Sequence, residues 1–465
     1  MEIYLKRDSP MPLYEQIYRA IKTDILSGAL EPGARLPATR RLAADLCISR
    51  NTVDLAYQQL AIEGYLYALV GSGFRVEAGV TDHLTHLSQP PLAVLQQHPQ
   101  SPQIKYDFWF PLIDRAMFPA KAWSKAMQQA EARVNGSAVC TYPDRMGVPA
   151  LRQALVRYLR DSRGVHCRAE QIVVACGMQF NLELLLKLFP PAEGTVAIED
   201  PCYYGARHVF VANGCRLVPL AVEKDGVSIE ALQKSGARLG YVTPSHQFPT
   251  GAVLPVRKRL AMLEWAQQNN AYILEDDYDS ELRYRSMPVP SLHLLDRSGR
   301  VIYAGTFSKS LSPDLRISYF VLPEGLEEQY RKVCGCYTGS VSLTQQYALA
   351  ELMENGVFER HLNKMRVLCG RRHDAFLDAL AQVFGKRVRV LASGAGLHIP
   401  VRVAAGKTRR QLIDSAAAAG ARVYDMEDCY IAKNAPPDEL LLGFGGIAPE
   451  QYENALLCLR RAWFD

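Results

Sequence analysis

Long apolar runs are missing from this chain: nowhere in its 465 residues does a hydrophobic stretch approach the length that spans a bilayer. The opening Met-Glu-Ile-Tyr-Leu-Lys-Arg-Asp holds no signal-peptide core, so the expected location is the cytoplasm, with no membrane partner. An excess of one charge is also lacking. The 53 Lys and Arg against 48 Asp and Glu leave a formal net charge of +5, too little to argue for nucleic acid by itself. The 11 cysteines are odd in number and scattered through apolar segments, which suits reduced thiols and not a disulfide framework. Cys334-Gly335-Cys336 has no second Cys or His pair at metal spacing, so no metal site is expected. Internal repeats are absent. What is there is ordinary for a globular protein, 48% hydrophobic and 22% charged, at a length that calls for more than one core.

Three regions emerge along the chain. In residues 1–76, Leu13, Ile17, Ile21 and Ile25 recur every fourth position and predict a helix, which Gly28 and Pro32-Gly33 end. A second short helix is expected from near Pro37, turning Leu42 and Leu46 inward. Ser49 is the expected N-cap of a third, bearing Val53, Ala56, Tyr57 and Leu60. Tyr65-Leu66-Tyr67 and Phe74-Arg75-Val76, joined through Gly71-Ser72-Gly73, predict a hairpin. Three helices and then a hairpin is the order of a winged helix-turn-helix. Residues 77–105 carry four prolines, five glutamines and three histidines with little periodicity; they read as a linker with a reach of about 30 Å as a coil. Across 106–465, helical patterns alternate with short Val/Ile-rich runs at 171–175, 195–199, 271–274 and 301–304. The fold class expected there is α/β with a mostly parallel sheet.

The most informative stretch is 301–319. A β-rich run ends in Thr306-Phe307-Ser308-Lys309, with Arg316 seven residues beyond the lysine. That layout suits an amine forming a Schiff base with an aldehyde cofactor, plus a guanidinium for its phosphate. Glu275-Asp276-Asp277-Tyr278 closes another strand, where a carboxylate can pair with a protonated ring nitrogen and a phenol with a ring oxygen. Cys176-Gly177-Met178-Gln179 lies between a strand and a helix expected to start near Asn181, and N–H groups there make a phosphate site. Glu199-Asp200-Pro201-Cys202-Tyr203 offers an aromatic face for stacking. Singly, each has a plain reading as a turn, a cap or a solvated side chain. Five in this order, each expected at a strand's C-terminal end, point to one ligand. In the head, residues 1–75 hold nine Lys/Arg against eight Asp/Glu, as a solvated face could. Position matters more: Arg35, Arg40, Arg41, Arg50 and Arg75 fall where a winged helix meets DNA.

Pro32-Gly33-Ala34-Arg35-Leu36-Pro37, Ile48-Ser49-Arg50-Asn51-Thr52-Val53 and Leu60-Ala61-Ile62-Glu63-Gly64-Tyr65-Leu66 together resemble the GntR-type winged-helix signature. The resemblance implies a double-stranded DNA operator as partner. Ser49, Arg50, Asn51 and Thr52 would meet base edges and phosphates, Arg35 and Arg40 would grip the backbone, and the wing at Gly73 would approach the minor groove. Asp54 departs from the pattern by placing a carboxylate on the recognition helix. Residues 106–465 resemble a fold-type I aminotransferase domain, and the whole chain resembles the MocR subfamily of GntR regulators. That likeness implies pyridoxal 5'-phosphate as cofactor, with Lys309 as the catalytic Schiff-base lysine, Asp276 on the pyridine nitrogen, Tyr278 on the ring oxygen and Tyr203 stacked on the ring. Thr306, Ser308, Arg316 and Gly177-Met178-Gln179 would hold the phosphate, and Tyr142 would cross the interface of a head-to-tail homodimer.

Two positions break the aminotransferase pattern. Phe248, in His246-Gln247-Phe248-Pro249-Thr250-Gly251, stands where an asparagine binds the ring oxygen. Leu441, in Leu440-Leu441-Leu442-Gly443-Phe444, stands where an arginine clamps the substrate carboxylate. Loss of that bidentate pair costs amino-acid substrates about 2–4 kcal/mol unless another arginine, such as Arg207, substitutes. The expected function is a regulator that senses pyridoxal phosphate or an amine or amino-acid adduct of it, controlling vitamin B6 or amino-acid metabolism. The alternative is an active aminotransferase with an appended DNA-binding head.

Overall fold

The isoleucine ladder near the N-terminus forms helix α1, Leu13–Leu26, with Ile17, Ile21 and Ile25 fully buried on the face the spacing predicts. Helix α2 (Thr39–Asp45) follows, and then α3 (Arg50–Ile62), which buries Val53, Ala56, Tyr57 and Leu60. Ser49 caps α3 through a bond accepted from the Thr52 N–H at 3.2 Å. Strands β1 (Leu66–Leu69) and β2 (Gly73–Val76) pair antiparallel as the expected wing. Main-chain bonds from Leu36 N to Phe74 O and from Val76 N to Ala34 O lay the Ala34–Leu36 segment along β2. The computed structural model describes residues 3–7, 9–69, 73–78, 103–189, 194–284, 289–432 and 435–465. Most of the expected linker, and the wing-tip residues 70–72, lie outside these. The chain divides into two units, Met1–Gln100 and Ser101–Asp465.

The second unit begins with β3 (Tyr106–Asp107) and continues through β4 (Ile172–Ala175), β5 (Thr195–Asp200), β6 (Arg216–Glu223), β7 (Gly226–Val227), β8 (Leu239–Val242), β9 (Tyr272–Asp276), β10 (Val301–Thr306) and β11 (Ser318–Val321). Among the described residues β4 to β11 form one eight-stranded sheet in the order 4-11-10-9-8-5-6-7. The run β10-β9-β8-β5-β6 is parallel, while β11 lies antiparallel between β10 and β4, and β7 is antiparallel to β6. Strands β4, β8 and β11 are buried along their whole length, the mark of a sheet covered on both faces. A smaller layer completes the unit: β12 (Val388–Val390), β13 (His398–Val403) and β15 (Glu439–Gly443) form an antiparallel sheet, and β14 (Ala421–Arg422) pairs parallel with β3. Phe376, Leu412, Leu440, Leu456 and Trp463 are among the side chains that knit this layer into one core.

Candidate cofactor site

Strand alternation sorts the acidic run at the end of β9. Glu275 points to one face and accepts from the N–H groups of Leu292 and His293. Asp277 points the same way and meets Arg163 at 2.7 Å and the Tyr303 hydroxyl at 2.5 Å, all buried. Asp276, between them, faces a cavity at the carboxyl ends of the parallel strands. Its Oδ2 accepts from the Tyr241 hydroxyl at 2.5 Å, and its buried Oδ1 has no hydrogen-bond partner among the described residues. Burial raises this carboxyl to about 7, the Tyr241 bond opposing.

The same cavity gathers Lys309, Thr306, Ser308, Arg316, Tyr203 and Tyr278. Met178 and Gln179 line it as well. Lys309 follows β10, its Nζ 3.4 Å from the Phe110 carbonyl and 5.6 Å from that ring's centroid. Burial holds its ammonium at about 8, against the charge of Asp279. Thr306 Oγ1 donates to Ser308 Oγ at 2.9 Å and accepts from the Ser308 N–H at 3.2 Å, so the two hydroxyls turn together at the strand end. The helix beyond β4 begins at Gly177, four residues earlier than the sequence suggests. Gly177 has φ +82°, and a Cβ there would collide with the Arg316 guanidinium; only glycine permits that approach. Arg316 does not sit at a strand's C-terminal end as expected. It precedes β11, which starts beside the ends of β4 and β10 because it runs antiparallel to both, and so reaches the same rim. Tyr203 lies over Gly205, where a Cβ would come within 2.5 Å of its ring.

These groups fit pyridoxal phosphate. Asp276 Oδ1 is an acceptor suited to a protonated ring nitrogen, Lys309 is an amine of lowered basicity, and Arg316 with the N-terminus of the Gly177–Leu186 helix would supply phosphate donors. When bound, the cofactor supplies an aldehyde carbon and an electron-withdrawing ring.

Four contributors have no signal in the sequence. Tyr241 is placed by β8 lying beside β9, a neighbour relation that no local pattern encodes. Phe110 follows β3, and His398 starts β13, so both come from the smaller layer. His246 Nδ1 lies 2.8 Å from Asp279 Oδ2 and 3.1 Å from the Tyr278 hydroxyl, a polar link on the Tyr278 side of the cavity. Arg207 is not a substitute clamp: its Nη1 donates to the carbonyls of Asp428 and Tyr430, and it does not line the cavity. Tyr142 is 80% exposed and lies outside its own chain's cavity. Leu441 is buried with Phe248, Met426 and Cys429 in an apolar cluster, which Phe110 and Tyr203 pack against.

On the head, Arg35, Arg40, Ser49, Arg50, Asn51 and Gly73 are exposed, and Thr52 is half-buried because its hydroxyl is bonded to Ser49 Oγ at 2.8 Å. Asp54 answers the departure noted above by pairing with Arg50, Oδ2 to Nε at 3.2 Å. Arg75 belongs to the wing's structure and not to its outer face: its Nη1 donates to the Gly33 carbonyl at 2.8 Å.

Comparison with known proteins agrees with both halves. Residues 13–76 match the model for bacterial regulatory proteins of the gntR family, and residues 111–437 match aminotransferase class I and II. The chain is 36% identical over 461 residues to the uncharacterized HTH-type transcriptional regulator YdeL of Bacillus subtilis, covering 99% of this chain and 98% of that one. It is 33% identical over 485 residues to the probable rhizopine catabolism regulatory protein MocR of Rhizobium meliloti, covering 99% and 96%. The alpha-aminoadipate aminotransferase LysN of Thermus thermophilus, solved with N-(5'-phosphopyridoxyl)-L-leucine, superposes with a TM-score of 0.69 at 26% identity, over 78% of this chain and 92% of that one. A DNA-binding winged helix followed by a class I/II aminotransferase domain, matched end to end by such regulators, places this chain in the MocR subfamily of GntR-type transcriptional regulators.

Proposed function

We propose that this regulator senses pyridoxal phosphate, alone or joined to an amine, through Lys309, and that occupancy of the site changes how a homodimer presents its two heads to operator DNA. One observation carries this reading: the cofactor groups Lys309, Asp276 and Arg316 share one cavity, while the place of the substrate clamp is filled by buried Leu441 in an apolar cluster. A site that keeps its cofactor grip and drops its substrate grip suits detection better than turnover. Head-to-tail pairing gives exposed Tyr142 a destination in the partner's cavity, and action on operator DNA belongs in the cytoplasm. The controlled genes would then serve vitamin B6 or amino-acid metabolism.

The test is operator binding by fluorescence anisotropy, with and without pyridoxal phosphate, for the wild type and Lys309→Ala. The wild type is expected to show visible cofactor absorption and at least a several-fold change in operator affinity. The variant is expected to lose both while still binding DNA. An unchanged cofactor response in the variant refutes the sensing role of Lys309. The competing reading, a working aminotransferase with an appended head, draws on the retained Asp276 carboxylate. It would win if an added amino acid and keto acid sustained multiple turnovers.

A further inference from the structure

The chemistry left in the cavity once the cofactor groups are assigned defines a second ligand, and this step rests on the cofactor reading above. Among the described residues that line the cavity, the cations are Lys309, the attachment point, and Arg316, the phosphate holder. His398 also lines it, but burial, with the charges of His246 and Lys309, holds its ring far below the usual histidine range and therefore neutral. Asp276 and Asp279 line it too, and neither could pair with a carboxylate as a cation does. What remains is an aromatic wall. Phe110 and Phe248 lie 5.0 Å apart by centroid, Phe248 and His398 5.4 Å, and Phe110 and Tyr204 6.4 Å, with Leu441 buried behind them. The Phe110 ring faces Lys309 Nζ, so this wall frames the point where an incoming amine must arrive.

We propose that the effector is a primary amine without a carboxylate, carrying an apolar or aromatic body that packs on Phe110 and Phe248. A carboxylate on the same carbon would be carried into this wall with no further cation among the described residues lining the cavity to meet it, and an unpaired buried charge is strongly disfavoured. The aromatic faces instead reward an apolar body. In the exchange, the amine's nitrogen bonds the cofactor's aldehyde carbon as the bond from that carbon to Lys309 Nζ breaks. From one protonated imine to the other, the incoming ammonium would shed two protons and Lys309 Nζ would take up both, leaving as an ammonium. Nothing is oxidised or reduced.

The experiment uses the full chain loaded with pyridoxal phosphate, titrated with phenethylamine against phenylalanine and with isopentylamine against leucine. Visible absorption and calorimetry both report binding. Each amine is expected to bind at least tenfold more tightly than its amino acid. Leu441→Arg is expected to narrow or reverse that preference, and the wild-type comparison stands if the variant does not fold. Amino acids binding as tightly as the amines, or amines failing to bind at millimolar concentration, would overturn the proposal. In either case the visible absorption of the unliganded protein, lost in Lys309→Ala, would leave the cofactor reading intact. Absence of that absorption would instead remove the cofactor reading itself.

Discussion

At the scale of residues, the site is a set of buried groups held ready at an energetic cost. Burial lifts Asp276 from the ordinary aspartate range to about 7, and outside the cavity it lifts Glu199 and Glu281 to about 7 as well. A carboxyl whose pKa is higher folded than unfolded stabilises the fold fully below its unfolded value. That contribution is lost as pH rises through the folded value. Without cofactor, the protein is therefore expected to melt at lower temperature at pH 8 than at pH 5.5. Asp276→Asn should shrink the difference, as circular dichroism melts at the two pH values would show. The same substitution removes the charged partner of the ring nitrogen, worth about 1.5–3 kcal/mol. Cofactor affinity should drop about ten- to hundredfold in an absorption titration. Lys309, Asp276 and Arg316 were legible in the sequence because each sits in a short run of chemically matched neighbours. Tyr241 and His398 were not, since sheet order brings them in from strands that carry no local mark.

At the scale of elements, alternation and periodicity served well where an element packs by one face, as α1 and α3 do. They failed where tertiary pairing decides. The antiparallel course of β11 is invisible in Ser318–Val321, yet it brings Arg316 to the cofactor rim. The start of the Gly177–Leu186 helix was also misplaced, because glycine at a left-handed φ reads as a turn rather than a first helical residue. On α3, the Arg50–Asp54 pair is partly exposed, at 53% and 30% for the two side chains, so its worth to stability is only about 0.3–0.5 kcal/mol. Its consequence should lie in DNA reading, where a fixed guanidinium discriminates better than a loose one. Asp54→Asn is expected to raise affinity for unrelated duplexes and to cut operator preference by about 1 kcal/mol or more. Anisotropy titrations against operator and scrambled DNA measure both effects.

At the scale of the whole molecule, the two-part architecture was readable from pattern and composition together, since a winged-helix pattern and an α/β alternation flank a Pro/Gln-rich stretch. The exposed Tyr142 makes dimerisation testable by complementation. Mixed dimers of Lys309→Ala and Tyr142→Ala chains carry one site with both residues intact, so an exchanged mixture should regain roughly a quarter of the high-affinity cofactor sites. Cofactor titration before and after exchange reads this, and no recovery would mean that Tyr142 acts within its own chain or not at all.

The short strand β3 has a mechanical side. Its approach is fastened by Lys105 N to Gly420 O at 2.8 Å and its exit by Phe108 N to Arg422 O at 3.0 Å, and Gly443 N holds the Phe108 carbonyl at 2.8 Å. A few bonds further along the backbone, the Phe110 carbonyl touches Lys309. These three bonds fix the backbone at Lys105 and Phe108, just ahead of the carbonyl that meets Lys309. The covalent path from the first fastened residue to the lysine contact runs only from Lys105 to Phe110, so a pull on the backbone ahead of β3 would load these bonds before it moved the Phe110 carbonyl.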